Sequence, residues 1–359
     1  MFKIYQKYLI NNFLLKFLNI SIIFLSLTII LGILEEISFF KDMKVSFLYP
    51  YFLTLLNTPM TLFEIFPFIF LLTTQFLFYD LFKRDELNLL KKNGLSNLKI
   101  IKILFFLSIV IGIFNIAIYY NLASKMKFQY SIIKNDLSND NKYLAMVTES
   151  GLWIKDEIEN KTLIVKSNYV KGNFLSKTII NEFNDKFELI RTIQSDKINI
   201  ETNDWEIYDP VITIDNIPQE NVDYIVMKTN FNEEKINNLF SNISTLDVIK
   251  LFDLKKDFDK LGYSTREILV HLLKLFTTPL LYGILTVLSA IIMMNFSRDK
   301  SLLFHIIIGI LMSVLIYYMN FIFSSLGNNG KIPIILSIFF PMVIMSFVSI
   351  IGLININEK

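Results

Sequence analysis

The sequence predicts a polytopic α-helical membrane protein: six spans in a three-plus-three order, with an all-β domain of sandwich or jelly-roll type inserted between the third and fourth spans. Three observations carry this. Of the 359 residues 53% are hydrophobic, Phe alone contributing 34, and they come in runs too long for a globular core. Residues 121–265 hold no such run and read as short alternating segments rich in Ile, Val, Thr and aromatics. Basic residues gather on alternate loops, as the positive-inside rule requires of a multi-pass chain.

Composition also excludes. A formal charge of +2 gives no basis for nucleic-acid binding. The absence of Cys removes disulfides, thiolate metal sites and a Cys nucleophile. Nothing calls for a cofactor.

In chain order, residues 1–16 carry Lys3, Lys7 and Lys16 with no acidic residue, and a span follows over 13–34. Its apolar core is longer than that of a signal peptide and no small-residue cleavage site follows, so it reads as a retained first span with its N-terminus inside. Glu35, Glu36, Lys41, Asp42 and Lys44 make a mixed outer loop. The next apolar stretch, 47–82, exceeds one span and contains Pro50, Pro59 and Pro67. It is expected to divide into an outer interfacial segment before Pro59 and a membrane helix from Leu62. Glu64 then lies near the outer interface as a solvated carboxylate.

Residues 83–99, KRDELNLLKKNGLSNLK, form a charged island between two apolar runs. Asp85 and Glu86 precede Lys91 and Lys92, the charge order a helix macrodipole favours. Gly94 can close that helix in the left-handed conformation, and Ser96 can cap the next. About eight helical residues make a rod of roughly 12 Å. Leu87, Leu90 and Leu89 supply an apolar face, while Arg84, Glu86 and Lys91 leave charge available to a partner. Two readings stand: a handle through which a cytoplasmic partner moves the flanking spans, or an ordinary basic turn.

The third span is 100–120. In the outer domain, strands are expected over 143–155, 162–170, 177–183, 187–193, 197–202, 205–214 and 224–229. Within KINIET, Ile198 and Ile200 share one face and Lys197, Asn199 and Glu201 the other. An apolar groove for acyl chains and a plain hydrophobic core both fit these strands. Ser244 or Thr245 is expected to cap an amphipathic helix ending near Leu261 and Gly262. The remaining spans are 268–296, 301–326 and 333–353, with an inner turn at 297–300 holding Arg298 and Lys300, an outer turn at 327–331 and a C-terminus inside.

Catalytic patterns are missing. GNNGK at 327–331 lacks the spacing and the following Ser or Thr of a phosphate loop. His271 and His305 stand alone, with no HExxH, and there is no GxSxG elbow. Any energy from nucleotide has to come through another subunit, and residues 83–99 are where such a subunit could push.

This arrangement resembles the lipopolysaccharide-export permeases of the LptF/LptG family over nearly the whole chain. The specific residues are the Pro59 and Pro67 pair, RDELNLLKKNGLS, GLWIKD at 151–156, and the Leu261-Gly262 helix leading to Lys274 and Pro279. The family's coupling-helix motif matches Arg84, Glu86, Leu87, Gly94, Leu95 and Ser96 position by position, and GLWIKD favours the LptG branch. The resemblance implies a non-catalytic permease that extracts lipopolysaccharide from the inner membrane and passes it to a periplasmic bridge. Its implied partners are a cytoplasmic LptB-like ABC ATPase dimer, a paralogous LptF-like permease, periplasmic LptC/LptA-like jellyroll proteins and the lipid itself. The implied layout is spans 1–3 with the coupling helix in 1–120, a periplasmic jellyroll over 121–243, a linker helix over 244–265 and spans 4–6 in 266–359.

By the same resemblance Arg84, Asp85, Glu86, Leu87, Leu90, Gly94 and Ser96 couple to the ATPase. The first and fifth spans are the family's gate elements, so Phe24, Ile30, Leu34, Leu311, Leu315 and Tyr318 are the candidates for an apolar wall. Lys41 and Lys44 either meet lipid phosphates or anchor the interface. Glu35 and Glu36 depart from the basic character expected there. Two rival functions stand beside it: a mechanotransmission permease, whose usual layout has fewer spans and against which six spans argue, and a non-transporting scaffold, in which charge reversal at 83–99 is tolerated and which the sequence leaves open.

Overall fold

A computed structural model describes residues 3–41, 46–137, 152–158, 161–171, 173–214, 217–219, 222–233, 236, 243–261, 264–295 and 302–357. The expected turn at 297–300, Lys44, Gly262 and the first part of the 143–155 strand lie outside these residues. The chain divides into two compact units, Met1–Tyr130 with Arg266–Lys359, and Ser131–Thr265.

Among the described residues the first unit holds six helices long and apolar enough to cross a membrane. They are built from α1 (Ile4–Phe39), α2 (Tyr49–Lys83), α4 (Asn97–Phe114), α7 (Arg266–Asn295), α8 (Leu302–Asn328) and α9 (Ile334–Asn357), with the short α3 (Glu86–Lys92) between α2 and α4. The third of them continues from α4 through a π-helical turn, Asn115–Tyr120, into α5 (Asn121–Leu137).

One expectation fails here. Pro59 and Pro67 do not divide the second apolar stretch; both lie inside α2, one continuous helix of 35 residues. A break among packed apolar helices would strand backbone groups with no water to receive them, so the chain stays helical through both prolines. The Pro59 carbonyl accepts a bond from the Tyr119 hydroxyl at 3.0 Å.

The core of this unit is aromatic and centres on α2 and α7. Phe70 stacks on Tyr282 at 4.3 Å, and Phe17 meets both Phe66 and Phe70. Leu9, Phe13, Phe78 and Leu104 are fully buried around them. Helices in hydrocarbon gain little from hydrophobic association, so close packing and polar contacts between helices decide which faces meet. Gly112 brings α4 against α7 so closely that a Cβ there would sit 2.7 Å from the Pro279 Cα. Ser108 and Thr286 share a hydrogen bond of 2.8 Å, and the Ser289 hydroxyl donates to the Leu71 carbonyl at 2.7 Å. The π turn faces inward, with Asn115 donating to the Tyr282 hydroxyl at 3.2 Å and Tyr120 bonded to His271 at 2.9 Å.

The second unit is a single curled antiparallel sheet, nine strands among the described residues. They are β1 (Leu152–Ile158), β2 (Lys161–Lys171), β3 (Phe174–Phe183), β4 (Leu189–Ser195), β5 (Lys197–Asn199), β6 (Asp204–Tyr208), β7 (Val211–Ile214), β8 (Ile217–Pro218) and β9 (Tyr224–Lys228). Strand order is β8-β7-β4-β3-β5-β6-β9, with β2 also paired to β3 and β1 paired to β2. The curl follows from β3, which pairs β5 through Phe174 and Leu175 and β4 through Thr178–Phe183. The inner face holds Ile154, Val165, Ile180, Ile198, Trp205 and Ile207, all buried. Ile198 and Ile200 are buried as the alternation predicts.

Two strand expectations are corrected. The 205–214 segment is two strands, β6 and β7, because Asp209 takes a φ of +45° and Pro210 follows it. The 197–202 strand stops at Asn199. A 3-10 turn, Ile243–Thr245, then leads to α6 (Val248–Leu261). The cap of α6 is Asp247, whose Oδ1 accepts from the Lys250 N–H at 2.9 Å, and not Ser244 or Thr245, which belong to the preceding turn.

Candidate functional site

The segment joining α2 to α4 is built tightly at both ends. α2 closes at Arg84, whose N–H bonds the Asp80 carbonyl at 3.0 Å. Asp85 then turns the chain with a φ of +56°, and its Oδ1 accepts from the Asn88 side chain at 2.8 Å. Asp and Asn tolerate the left-handed region better than other non-glycine residues, which is why the turn can be made there.

α3 ends in a Schellman closure. Gly94 N–H bonds the Lys91 carbonyl at 2.9 Å and Leu95 N–H the Leu90 carbonyl at 3.2 Å, with Gly94 at a φ of +81°. Ser96 Oγ then accepts from the Lys99 N–H at 3.3 Å and caps α4.

Within this frame Leu87 is buried and Leu90 packs against the same core, while Leu89, Lys91 and Lys92 are exposed. The face opposite the bundle is therefore one apolar side chain flanked by cations. Glu86 is not free-swinging. Its Oε2 accepts a 2.5 Å bond from the Tyr8 hydroxyl of α1, and Oε1 lies 3.9 Å from Arg84. Along the same seam Lys16 of α1 is ion-paired with Asp80 of α2. A groove of about 520 Å³, lined by Lys3, Tyr5, Tyr8, Leu90, Gly94 and Lys99 among others, separates the start of α1 from the end of α3.

The predicted wall residues sit on α1 and α8. Ile30, Leu34, Leu311, Leu315 and Tyr318 are all exposed, whereas Phe24 is half-buried with its ring edge-on to Phe68 at 5.7 Å. Only 11% of the first span's apolar window and 17% of the fifth's are buried, against 72% of the fourth's. α1 and α8 thus carry broad apolar faces that their own chain leaves uncovered.

The family model described as lipopolysaccharide export system permease LptF/LptG matches residues 7–355. The chain belongs to the LptF/LptG family. A search of the curated proteins found no match. As an LptF/LptG permease it is a multi-pass inner-membrane protein of lipopolysaccharide export and a non-catalytic subunit.

For this permease the structure gathers Arg84, Asp85, Glu86, Leu87, Leu90, Gly94 and Ser96 into one short connection, with the two leucines turned inward. Lys41 is exposed just beyond α1. The unexpected acidic pair separates into two roles: Glu35 is exposed, while Glu36 is buried and accepts a 2.7 Å bond from the Tyr130 hydroxyl. Glu64 is exposed, as expected of a solvated carboxylate, with Lys127 at 4.0 Å.

The sequence reading missed Tyr8, Lys16 and Asp80. Lys16 was absorbed into the positive-inside count, although a lone Lys and a lone Asp within two adjacent apolar runs was the available signal. The GNNGK string is a helix end: Gly330 N–H bonds the Gly327 carbonyl and Lys331 N–H the Leu326 carbonyl, each at 3.0 Å.

Proposed function

We propose that this permease couples ATP hydrolysis in a cytoplasmic ABC ATPase dimer to lateral extraction of lipopolysaccharide, working beside a paralogous permease and passing the lipid to periplasmic jellyroll bridge proteins. The observation that carries the reading is α3: a seven-residue helix, closed at both ends and rooted in the bundle by Leu87, that presents Leu89, Lys91 and Lys92 outward between two spans. A helix so fixed cannot be displaced without displacing α2 and α4. The family's permeases are non-catalytic subunits, so on this reading the energy enters from a separate ATPase.

The basic flanks of the first span and of residues 83–99 support placing the N-terminus, α3 and the C-terminus in the cytoplasm and the β domain in the periplasm. The exposed faces of α1 and α8 support a lateral opening completed by the paralogous permease. GLWIKD supports the LptG branch; its Asp156 holds the Asn230 N–H and side chain, each at 2.8 Å, and so locks the opening strand of the β domain.

Glu86→Lys tests the coupling. On this reading Glu86 pairs with a basic residue in a groove of the ATPase, and truncating one partner of a desolvated interfacial charge pair costs about 2 to 5 kcal/mol. The variant should insert normally yet lose ATPase assembly or lipopolysaccharide-stimulated hydrolysis. Unchanged stimulation would remove the reading.

A further inference from the structure

We infer that Tyr8 and Lys16 are positioning residues that strap the first half of α1 to the coupling segment, so that α1 moves as one body with α3 and the end of α2. The inference rests on the coupling role proposed for α3 and on the lateral opening proposed at α1, and adds the route by which displacement of α3 reaches a helix that α3 does not itself adjoin in sequence.

α1 packs on α2 along one side, through Leu9, Phe13 and Phe17, while only 11% of its apolar window is buried. Lipid tails compete on nearly equal terms for an apolar helix face, so packing of this kind resists sliding less than a directed polar bond does. Polar ties add what packing lacks, a fixed partner and direction. Both ties are partly exposed, so water can take a broken partner and their contribution is geometric more than energetic.

Two such ties stand between α1 and the α2–α3 segment. The Tyr8 hydroxyl donates to Glu86 at 2.5 Å, a charge-assisted bond, and Lys16 is ion-paired with Asp80. Their order is antiparallel, the earlier residue of α1 meeting the later residue of the α2–α3 connection. Lys16 lies eight positions beyond Tyr8, about 12 Å along a helix axis. A single tie would leave a pivot, whereas two ties that far apart fix direction as well as position. Leu9 and Phe13, both fully buried, fill the seam between them. Each tie ends on the element that α3 would move: Glu86 opens α3 itself, and Asp80 lies in the last turn of α2, its carbonyl receiving the Arg84 N–H. The other end of α1 is held by the bond from Tyr130 of α5 to Glu36. A push at the α3 end therefore tilts α1 about its far end, displacing its first half most and Ile30 and Leu34, next to the pivot, least.

The test uses the full chain assembled with its ATPase and partner permease, reconstituted in vesicles of phosphatidylethanolamine, phosphatidylglycerol and lipopolysaccharide. ATP hydrolysis and lipopolysaccharide transferred to a soluble acceptor are measured together. Tyr8→Phe keeps the ring and removes the bond; Lys16→Met removes the ion pair. Each should assemble and hydrolyse ATP within about two-fold of the parent while lipid moved per ATP falls at least five-fold, and Lys16→Asp with Asp80→Lys should recover most of the loss seen in Lys16→Met. Parental lipid per ATP in both single variants would overturn the strap, as would a Lys16→Met loss that the charge swap leaves uncorrected. The coupling reading is judged separately. If Glu86→Lys abolishes stimulated hydrolysis while Tyr8→Phe and Lys16→Met export like the parent, the strap alone is wrong; if Glu86→Lys changes nothing, the coupling role falls first.

Discussion

Glu182 of β3 shows what a single side chain contributes to the β domain. Its carboxylate is buried and takes Lys161 at 2.8 Å and Arg191 at 2.5 Å, from the strands on either side. Burial by itself would raise its pKa; the bonds and charges of Lys161 and Arg191 outweigh that and hold it below the ordinary 4.5. The sign is then fixed. A depressed folded value gives stabilisation that is fully present above about pH 4.5 and is lost as pH falls through the lower folded value. Glu182→Gln should lower the melting temperature near neutrality and flatten the acid limb, so that the two melting curves converge below that window when followed by tryptophan fluorescence. Parallel pH profiles for the two proteins would mean the pair contributes nothing through ionisation. At this scale the alternation of Ile198 and Ile200 was legible because strand faces depend only on period. Glu182 was not, since its partners come from two other strands.

Gly94 shows the same contrast for an element. No atom lies within 4 Å of where its Cβ would be, and its φ is +81°. Only backbone conformation demands glycine here, a cost of about 1 kcal/mol for an ordinary L residue and less for Asn. Stimulated ATPase activity of the assembled complex should therefore fall in the order Gly, Asn, Ala, Val at position 94. Equal loss for Asn and Val would show that side-chain volume at a partner surface matters instead. The Gly94 turn and the Ser96 cap were readable from sequence because capping is settled within a few residues. The continuity of α2 was not, because whether Pro59 and Pro67 break a helix depends on what surrounds the freed backbone groups. The change of strand at Asp209 and Pro210 was legible in principle, as Pro seldom continues a strand, and was passed over in favour of the flanking β-formers. The cap of α6 was misplaced by two or three residues, which is the usual uncertainty where Ser, Thr and Asp cluster in a row.

For the whole molecule, six spans and an inserted β domain were legible because run length and residue period are global signals that one substitution cannot erase. What the sequence did not separate was which spans are buried: the first and fourth are both apolar, yet 11% of one window and 72% of the other is covered. That difference is what supports the proposed lateral path. Ile30 and Leu34 on α1 and Leu311, Leu315 and Tyr318 on α8 are exposed apolar side chains in spans whose own chain covers little of them. A lipid with several acyl chains and anionic phosphates needs such a wall, with cations at its outer rim, where Lys41 is exposed and Lys44 follows in sequence. Photocrosslinkers at Leu34 and Leu311 should capture lipopolysaccharide in membranes. Replacing Lys41 and Lys44 by Glu should weaken that capture more at low salt than at high, because exposed charges are screened over roughly 10 Å at 0.1 M salt. If the lysines only anchor the interface, capture would not depend on salt in this way. Crosslinks arising from β-domain positions and never from α1 or α8 would mean that the lipid does not enter through these spans, and the exposed faces would then have to be assigned to the paralogous permease alone.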